Sequence, residues 1–256
     1  MIRRLAAALA LCLLAPAQAL AGEAPVVLVA DPWCPHTCDS QSGIDGYMVD
    51  IAREAFAMDG IEVIYKTTSW ARAMRDVRQE RADGAVGALV DEAPDLITHR
   101  QPLGVQVNVF LTRGDDPWRF TGLDSLAGRQ VGSVRSYSYS AEIDAWLAAN
   151  PGQVQAISGS GGARRNLRKL LAGRIDVMLD DDAVAGDTLR RSGQGLPVRV
   201  AGRLPGGSLH IALGNRRGNH LAAILDRNIH ALRASGRLAA ILAEYGLTDW
   251  AGRQGL

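Results

Sequence analysis

The sequence predicts an α/β protein folded as two lobes, and three observations carry that reading. Short apolar runs alternate with stretches of helix spacing along most of the chain, the pattern of mixed α/β proteins. Two breaks, Thr112 to Pro117 and Pro205 to Gly207, interrupt the alternation and mark crossings into and out of a middle segment. The chain left after an apolar leader has a length that suits one large domain or two lobes.

The leader has the layout of a secretory signal. Arg3 and Arg4 precede an apolar stretch from Leu5 to Ala15, and Ala17-Gln-Ala19 and Ala19-Leu-Ala21 offer small-x-small cleavage sites. Cleavage after Ala21 assigns residues 1–21 to the signal and a periplasmic location to the rest. The apolar stretch is short for a membrane anchor. Cys12 follows Leu11, where a lipoprotein site needs a small residue. Cleavage removes two of 28 basic residues against 27 acids, so the net charge moves from +1 to −1. That balance argues against nucleic acid as a partner.

Val26 to Ala30 reads as the first strand. The loop beyond it carries Trp33 and lies where open α/β sheets bind ligands, past the carboxyl end of a strand. Cys34 and Cys38 follow, and an oxidising compartment favours a disulfide between them. Two alternatives stand beside it. Thiol oxidoreductases separate their cysteines by two residues and this loop has three; a metal site of Cys34, His36 and Cys38 lacks a nearby fourth ligand. Gly43 and Gly46 suit a turn. After it Met48, Ile51, Ala52, Ala55 and Phe56 recur at helix spacing as far as Asp59-Gly60. Glu62 to Tyr65 is the second strand.

Ser69 is placed to cap a helix with Ala73, Met74 and Val77 as its apolar stripe. Trp70 and Arg72 at its start face either a cleft or the lobe surface. Asp83 to Leu89 reads as a buried strand, Asp91 to Pro102 as a loop, and Val105 to Leu111 as a strand ending at the first crossing. Beyond it Gly128 to Val134 is a strand, followed by Arg135-Ser-Tyr-Ser-Tyr-Ser140 and a helix around Ile143, Trp146 and Leu147. The serine-tyrosine cluster therefore sits at a helix N-terminus, which favours an anion; plain capping by Ser138 or Ser140 accounts for it equally.

Val154 to Ile157 is a further strand. Ser158 to Gly162 is glycine-rich, but no Gly-Lys-Ser/Thr follows, so it is not a phosphate loop. Leu167, Leu170 and Leu171 mark a helix with Gly173 as its stop. Val177 to Leu179 is a strand ending in Asp180-Asp181-Asp182, which suits a ligand contact, a cation site, or a solvated loop end with Asp182 as helix cap. Strands at Val198 to Val200 and Leu209 to Leu213 flank the return crossing. Two helices, around Leu221 to Leu232 and Leu238 to Tyr245, are split by Gly236.

Gly46-Tyr47-x-Val49-Asp50-Ile51 resembles the glycine-aromatic-x-aliphatic-acid-aliphatic signature of family 3 extracellular solute-binding proteins, the periplasmic receptors of polar amino-acid ABC transporters. Met48 stands where that family usually has an acid. Gly173-Arg174-Ile175-Asp176, with Asp181 after it, resembles the receptors' Gly-Arg-x-Asp…Asp element, and the matches span nearly all of the chain after the leader.

The resemblance implies the two-lobed type II periplasmic binding protein fold. Residues 22–111 and 208–256 would form lobe 1 and residues 112–207 lobe 2. It implies a monomeric clamp, without cofactor or metal, that closes on a small polar solute such as an amino acid and delivers it to an ABC permease. It implies Asp181 as partner of the solute's amino group and Ser136, Tyr137 and Ser138 as an anion-holding turn. Trp33 would be a flat wall, and Trp70, with Arg72 or Arg100, would stand at the cleft. The receptors' carboxylate-binding arginine falls near Asp95 by count from Asp83; Arg100 is the nearest candidate, closer to Pro102 than the family pattern. Two other classes share the fold. A secreted cyclohexadienyl-dehydratase-like enzyme would need a cleft acid of raised pKa, for which Glu142 and Asp181 are candidates. A periplasmic sensor module would need a fused signalling domain.

Overall fold

The computed structural model describes residues 23–135, 137–158, 161–193 and 195–252; the leader and Ser136 lie outside the described residues. The first sheet begins with β1 (Val26–Ala30), α1 (Tyr47–Ala57), β2 (Val63–Thr67), α2 (Trp70–Arg78) and β3 (Gly84–Leu89). Two short strands follow, β4 (Ile97–Thr98) and β5 (Gly104–Gln106). The second sheet takes β6 (Asn108–Arg113), β7 (Val131–Val134), α3 (Ala141–Ala149), β8 (Val154–Ile157) and α4 (Gly162–Leu171). It continues through β9 (Val177–Asp181), α5 (Asp182–Ser192) and β10 (Val198–Arg203). The chain then returns to the first sheet with β11 (Gly207–Leu213), α6 (Gly218–Ala234) and α7 (Arg237–Glu244).

In the first sheet the order is β2-β1-β3-β11-β4, with β5 also on β11. β1 runs parallel to β2 and β3, and β11 returns antiparallel to β3. The second sheet runs β10-β6-β9-β7-β8. β7 is parallel to β8 and β9, whereas β6 and β10 are antiparallel additions. This is the α/β, two-lobed architecture that the alternation of runs predicts. Among the described residues no helix is long and apolar enough to cross a membrane.

Three elements differ from the sequence reading. Val105 to Leu111 is not one strand: β5 pairs with β11 in the first sheet and β6 with β9 in the second, so the chain changes sheets at Val107, ahead of the break at Thr112. Val107 can leave the first sheet because its backbone is satisfied from the second: its N–H donates to Asp181 Oδ2 and its carbonyl accepts the Asp182 N–H, at 2.9 and 2.8 Å. The Asp91 to Pro102 loop contains β4, which adds to β11. Ser69 precedes α2 without a side-chain capping bond.

Each sheet is buried on both faces. Leu28, Met48, Ile51, Phe56, Leu225 and Ile241 join α1, α6 and α7 to the first sheet, and Ala73, Met74, Val77, Ala85 and Ala88 join α2 to it. In the second sheet side chains alternate along the strands. Val109, Leu111 and Met178 pack with Leu167 and Leu170 of α4, while Phe110, Val177 and Leu179 pack with Ile143 of α3. Gly46 has φ +97, and a Cβ there would lie 2.6 Å from the His36 carbonyl oxygen. Only glycine lets the Cys34–Cys38 loop lie against the start of α1.

Candidate functional site

The site lies where the strand ends of both sheets meet. The segment after β1 supplies Asp31, Trp33 and the disulfide between Cys34 and Cys38. The carbonyls of Pro35 and His36 accept the Tyr47 and Met48 N–H groups, at 3.0 and 3.1 Å, and so cap α1 from outside. The cysteines are joined by the disulfide that the sequence reading favours. Peptide mapping of protein prepared without reductant is expected to recover Cys34 linked to Cys38; two free thiols would contradict the structure.

Three aromatic side chains face one another across the cleft. Trp33 and Tyr137 meet edge to face with centroids 6.0 Å apart. Tyr137 also donates to Asp31 Oδ2 from the opposite lobe. Trp70 is held at the start of α2 by its Nε1 donating to Glu92 Oε1 at 2.7 Å. Trp33, Trp70, Glu92, Tyr137 and Ser138 enclose an inner space of about 30 Å³, room for one water-sized group. It opens beside a cavity of about 440 Å³ lined by Asp31, Thr67, Ser69, Trp70, Arg135 and Tyr137. On the other side of the Trp33–Tyr137 contact lies a space of about 300 Å³, lined by Cys34, Arg164, Asp180 and Arg191 among others.

Asp180 and Asp181 differ sharply. The Asp181 carboxylate is filled by the protein: Oδ1 accepts from His36 Nε2 at 2.8 Å, Ala183 N–H at 2.9 Å and Val184 N–H at 3.1 Å, and Oδ2 accepts from Val107. It, and not Asp182, caps α5. Asp182 instead pairs with Arg203 at the surface. Asp180 is equally buried, but only its Oδ1 is used, by the Asp181 N–H at 2.9 Å. Its Oδ2 has no partner among the described residues. Burial pushes the Asp180 carboxyl up to about 8, with Asp181 and Asp31 adding repulsion. Burial likewise raises Asp31 to about 6, against the lowering effect of the Tyr137 hydroxyl, and raises Glu92.

The structure gathers Trp33, Trp70, Tyr137 and Ser138 at the cleft and leaves the two arginines outside it. Arg72 is exposed on α2. Arg100 is exposed beside α6, where its backbone N–H donates to Asp226, away from the aromatic cleft. The cation that does line the large cavity is Arg135, whose Nε donates to Ser158 Oγ at 3.0 Å. Ser138 spends its hydroxyl on Asp144 Oδ2 at 2.7 Å, and Ser140 caps α3 by accepting the Ile143 N–H. Glu142 is exposed on α3. Sequence reasoning passed over Asp31 and Glu92, and within the Asp180-Asp181-Asp182 run it preferred Asp181 to Asp180. Two signals were present: Asp31 directly follows β1, and Asp180 falls on the Met178 face of β9 by alternation.

Two α/β lobes with an aromatic cleft at their strand ends define the architecture of a solute-binding protein. The chain matches the family of bacterial extracellular solute-binding proteins, family 3, over residues 26–248, and it belongs to that family. Among curated proteins none matches the sequence. Several solved structures share the fold at low identity. One is a histidine kinase sensor domain with similarity to periplasmic binding proteins, 20% identical, covering 88% of this chain and 98% of that one, with a TM-score of 0.75. Another is the arginine-, lysine-, histidine-binding protein ArtJ from Geobacillus stearothermophilus, 17% identical over 88% and 97% of the two chains, with a TM-score of 0.73. A third, EhuB in complex with hydroxyectoine, is 19% identical over 87% and 88%, with a TM-score of 0.72.

Proposed function

We propose that this protein is a periplasmic receptor that closes its lobes on a small polar solute carrying a cationic group and hands the solute to a membrane ABC permease. One observation carries the reading: Trp33 and Tyr137 line the same space between the lobes as the buried Asp180, whose Oδ2 has no partner among the described residues. Aromatic faces and carboxylates both attract organic cations, and a desolvated carboxylate left alone is costly. The partner for the solute's cationic group is therefore Asp180 and not Asp181, whose oxygens are already occupied. Across the Trp33–Tyr137 contact, Arg135 lines the larger cavity and is suited to an anionic group there. ArtJ, by its name, binds basic amino acids, and hydroxyectoine is bound by EhuB; a solute with a cationic group is in keeping with both.

Native mass spectrometry of undenatured protein identifies a co-purified solute. Calorimetry with that solute then tests the assignment. Asp180→Ala is expected to weaken binding by about 2–5 kcal/mol, because the cation loses its charged partner in a water-poor site. Asp180→Asn is expected to lose a similar amount. Because Asp180 binds its proton near pH 8, binding at pH 7 is expected to release close to one proton, seen as a dependence of the heat on buffer. Unchanged affinity in both variants would remove the cation assignment and leave the fold and family standing.

A second reading is favoured by the same carboxyl. A buried acid held protonated at neutral pH suits a proton donor to a departing hydroxyl, as in a dehydratase acting on a cyclic acid. Turnover of prephenate-like acids by purified protein, abolished by Asp180→Asn, would establish it; binding without turnover supports the receptor.

A further inference from the structure

A buried chain of polar side chains runs behind the cleft. His36 is 1% exposed and sits between the two bridged cysteines. Its Nδ1 pairs with Tyr47 Oη at 2.7 Å and its Nε2 donates to Asp181 Oδ1 at 2.8 Å. The backbone of this loop belongs to the first lobe, because Pro35 and His36 cap α1. Asp181 ends β9 in the second sheet. Its other oxygen holds the Val107 N–H, at the residue where the chain changes sheets. The contact thus spans 145 residues of sequence and crosses from one lobe to the other at the hinge. The His36 ring also stacks on Trp33, with centroids 4.1 Å apart, so it touches the cleft wall as well.

We propose that His36 is a positioning residue: carried by the Cys34–Cys38 loop, it pins Asp181 and with it the hinge at Val107, and so sets how far the lobes open around the solute. This deepens the clamp reading without depending on the identity of the solute. A rotation of one sheet against the other about Val107 changes the His36–Asp181 separation. A hydrogen bond tolerates only a few tenths of an ångström of lengthening. The arrangement described here keeps the bond, and a rotation that parts the two side chains must break it. The disulfide matters because it closes the loop that presents the ring, and the Trp33 stack links the bond to the solute wall.

The test uses the mature protein without added solute, so its outcome is separate from that of the receptor reading. His36→Ala is expected to enlarge the radius of gyration in small-angle scattering. It is also expected to speed amide exchange at Val107, Ala183 and Val184 by about tenfold or more, with exchange in the cores of β1 and β7 unchanged. His36→Gln, which can restore a donor to Asp181, is expected to recover much of both effects. The pair Cys34→Ser with Cys38→Ser is expected to shift both readouts in the same direction. So is reduction by dithiothreitol, which transfers two electrons and two protons to the disulfide and closes to its own cyclic disulfide. A wild-type radius and wild-type exchange at Val107 in His36→Ala would overturn the proposal. So would a uniform rise in exchange across both sheets, which marks a purely structural loss. If His36→Ala does not fold, the cysteine pair carries the test by the same criteria. A receptor that binds no solute but shows the hinge response would overturn the proposed function and leave this proposal standing.

Discussion

Asp181→Ala is expected to destabilise the protein by about 3–5 kcal/mol, the range for removing one partner of a buried hydrogen-bonded pair. The melting temperature is then expected to fall by about 2–4 °C for each kcal/mol. The carboxylate accepts from His36, Val107, Ala183 and Val184, and its removal takes the acceptor from all four donors. The helix cap alone accounts for about 0.5–2 kcal/mol of that loss. Asp181→Asn keeps the shape but presents an amide N–H₂ to one set of these donors, so it is expected to rescue little. Thermal unfolding of both variants measures the effect. A fall of less than about 1 kcal/mol would show that water fills the site at no cost.

The second large effect is on pH dependence. A carboxyl whose folded pKa is raised keeps its proton in the folded state while the unfolded chain has lost it, so stability falls as pH rises through the window. For Asp180 the window runs from the ordinary 3.8 to about 8, and for Asp31 from 3.8 to about 6. Each pH unit of such a window is worth about 1.4 kcal/mol. His99 acts in the opposite sense: burial lowers it to about 3, so its contribution is lost as pH falls below 6.5. Asp180→Asn isolates the first effect. The variant is expected to match wild type near pH 4 and to exceed it increasingly toward pH 8, with the gap levelling above that. Denaturant unfolding across this range measures it; parallel curves for the two proteins would show that Asp180 ionises freely in the folded state.

Much of the fold was legible because local rules and tertiary structure agree. The helix spacing from Met48 to Phe56 and the runs at Val26, Val131 and Val177 become α1, β1, β7 and β9. Val107 was not legible, since Val105, Val107 and Val109 keep one strand-like alternation through Gln106 and Asn108, and only partners in another lobe break the strand. The site was readable in part. Trp33 and Trp70 reach the cleft because each sits just beyond a strand, after β1 and after β2. Spacing from Asp176 pointed to Asp181, but spacing cannot show that a histidine from the first lobe and three backbone N–H groups already hold that carboxylate. Arg100 was near in sequence to the expected position and far in space, because β4 turns the segment toward α6.

The place of β11 bears on the order in which the molecule can be assembled. It is inserted between β3 and the short β4 and β5, although it comes after the whole of the second sheet in the chain. During synthesis, residues emerging in sequence would complete β6 to β10 while β3 still presents an open edge, its neighbour Gly207–Leu213 arriving last. The second lobe is continuous and can close by itself; the first must wait for the tail of the chain. An open strand edge is a template for pairing with other chains. A molecule released before Leu213 is made would therefore expose that edge of β3, so the first lobe, and not the second, is the part whose completion depends on the tail of the chain.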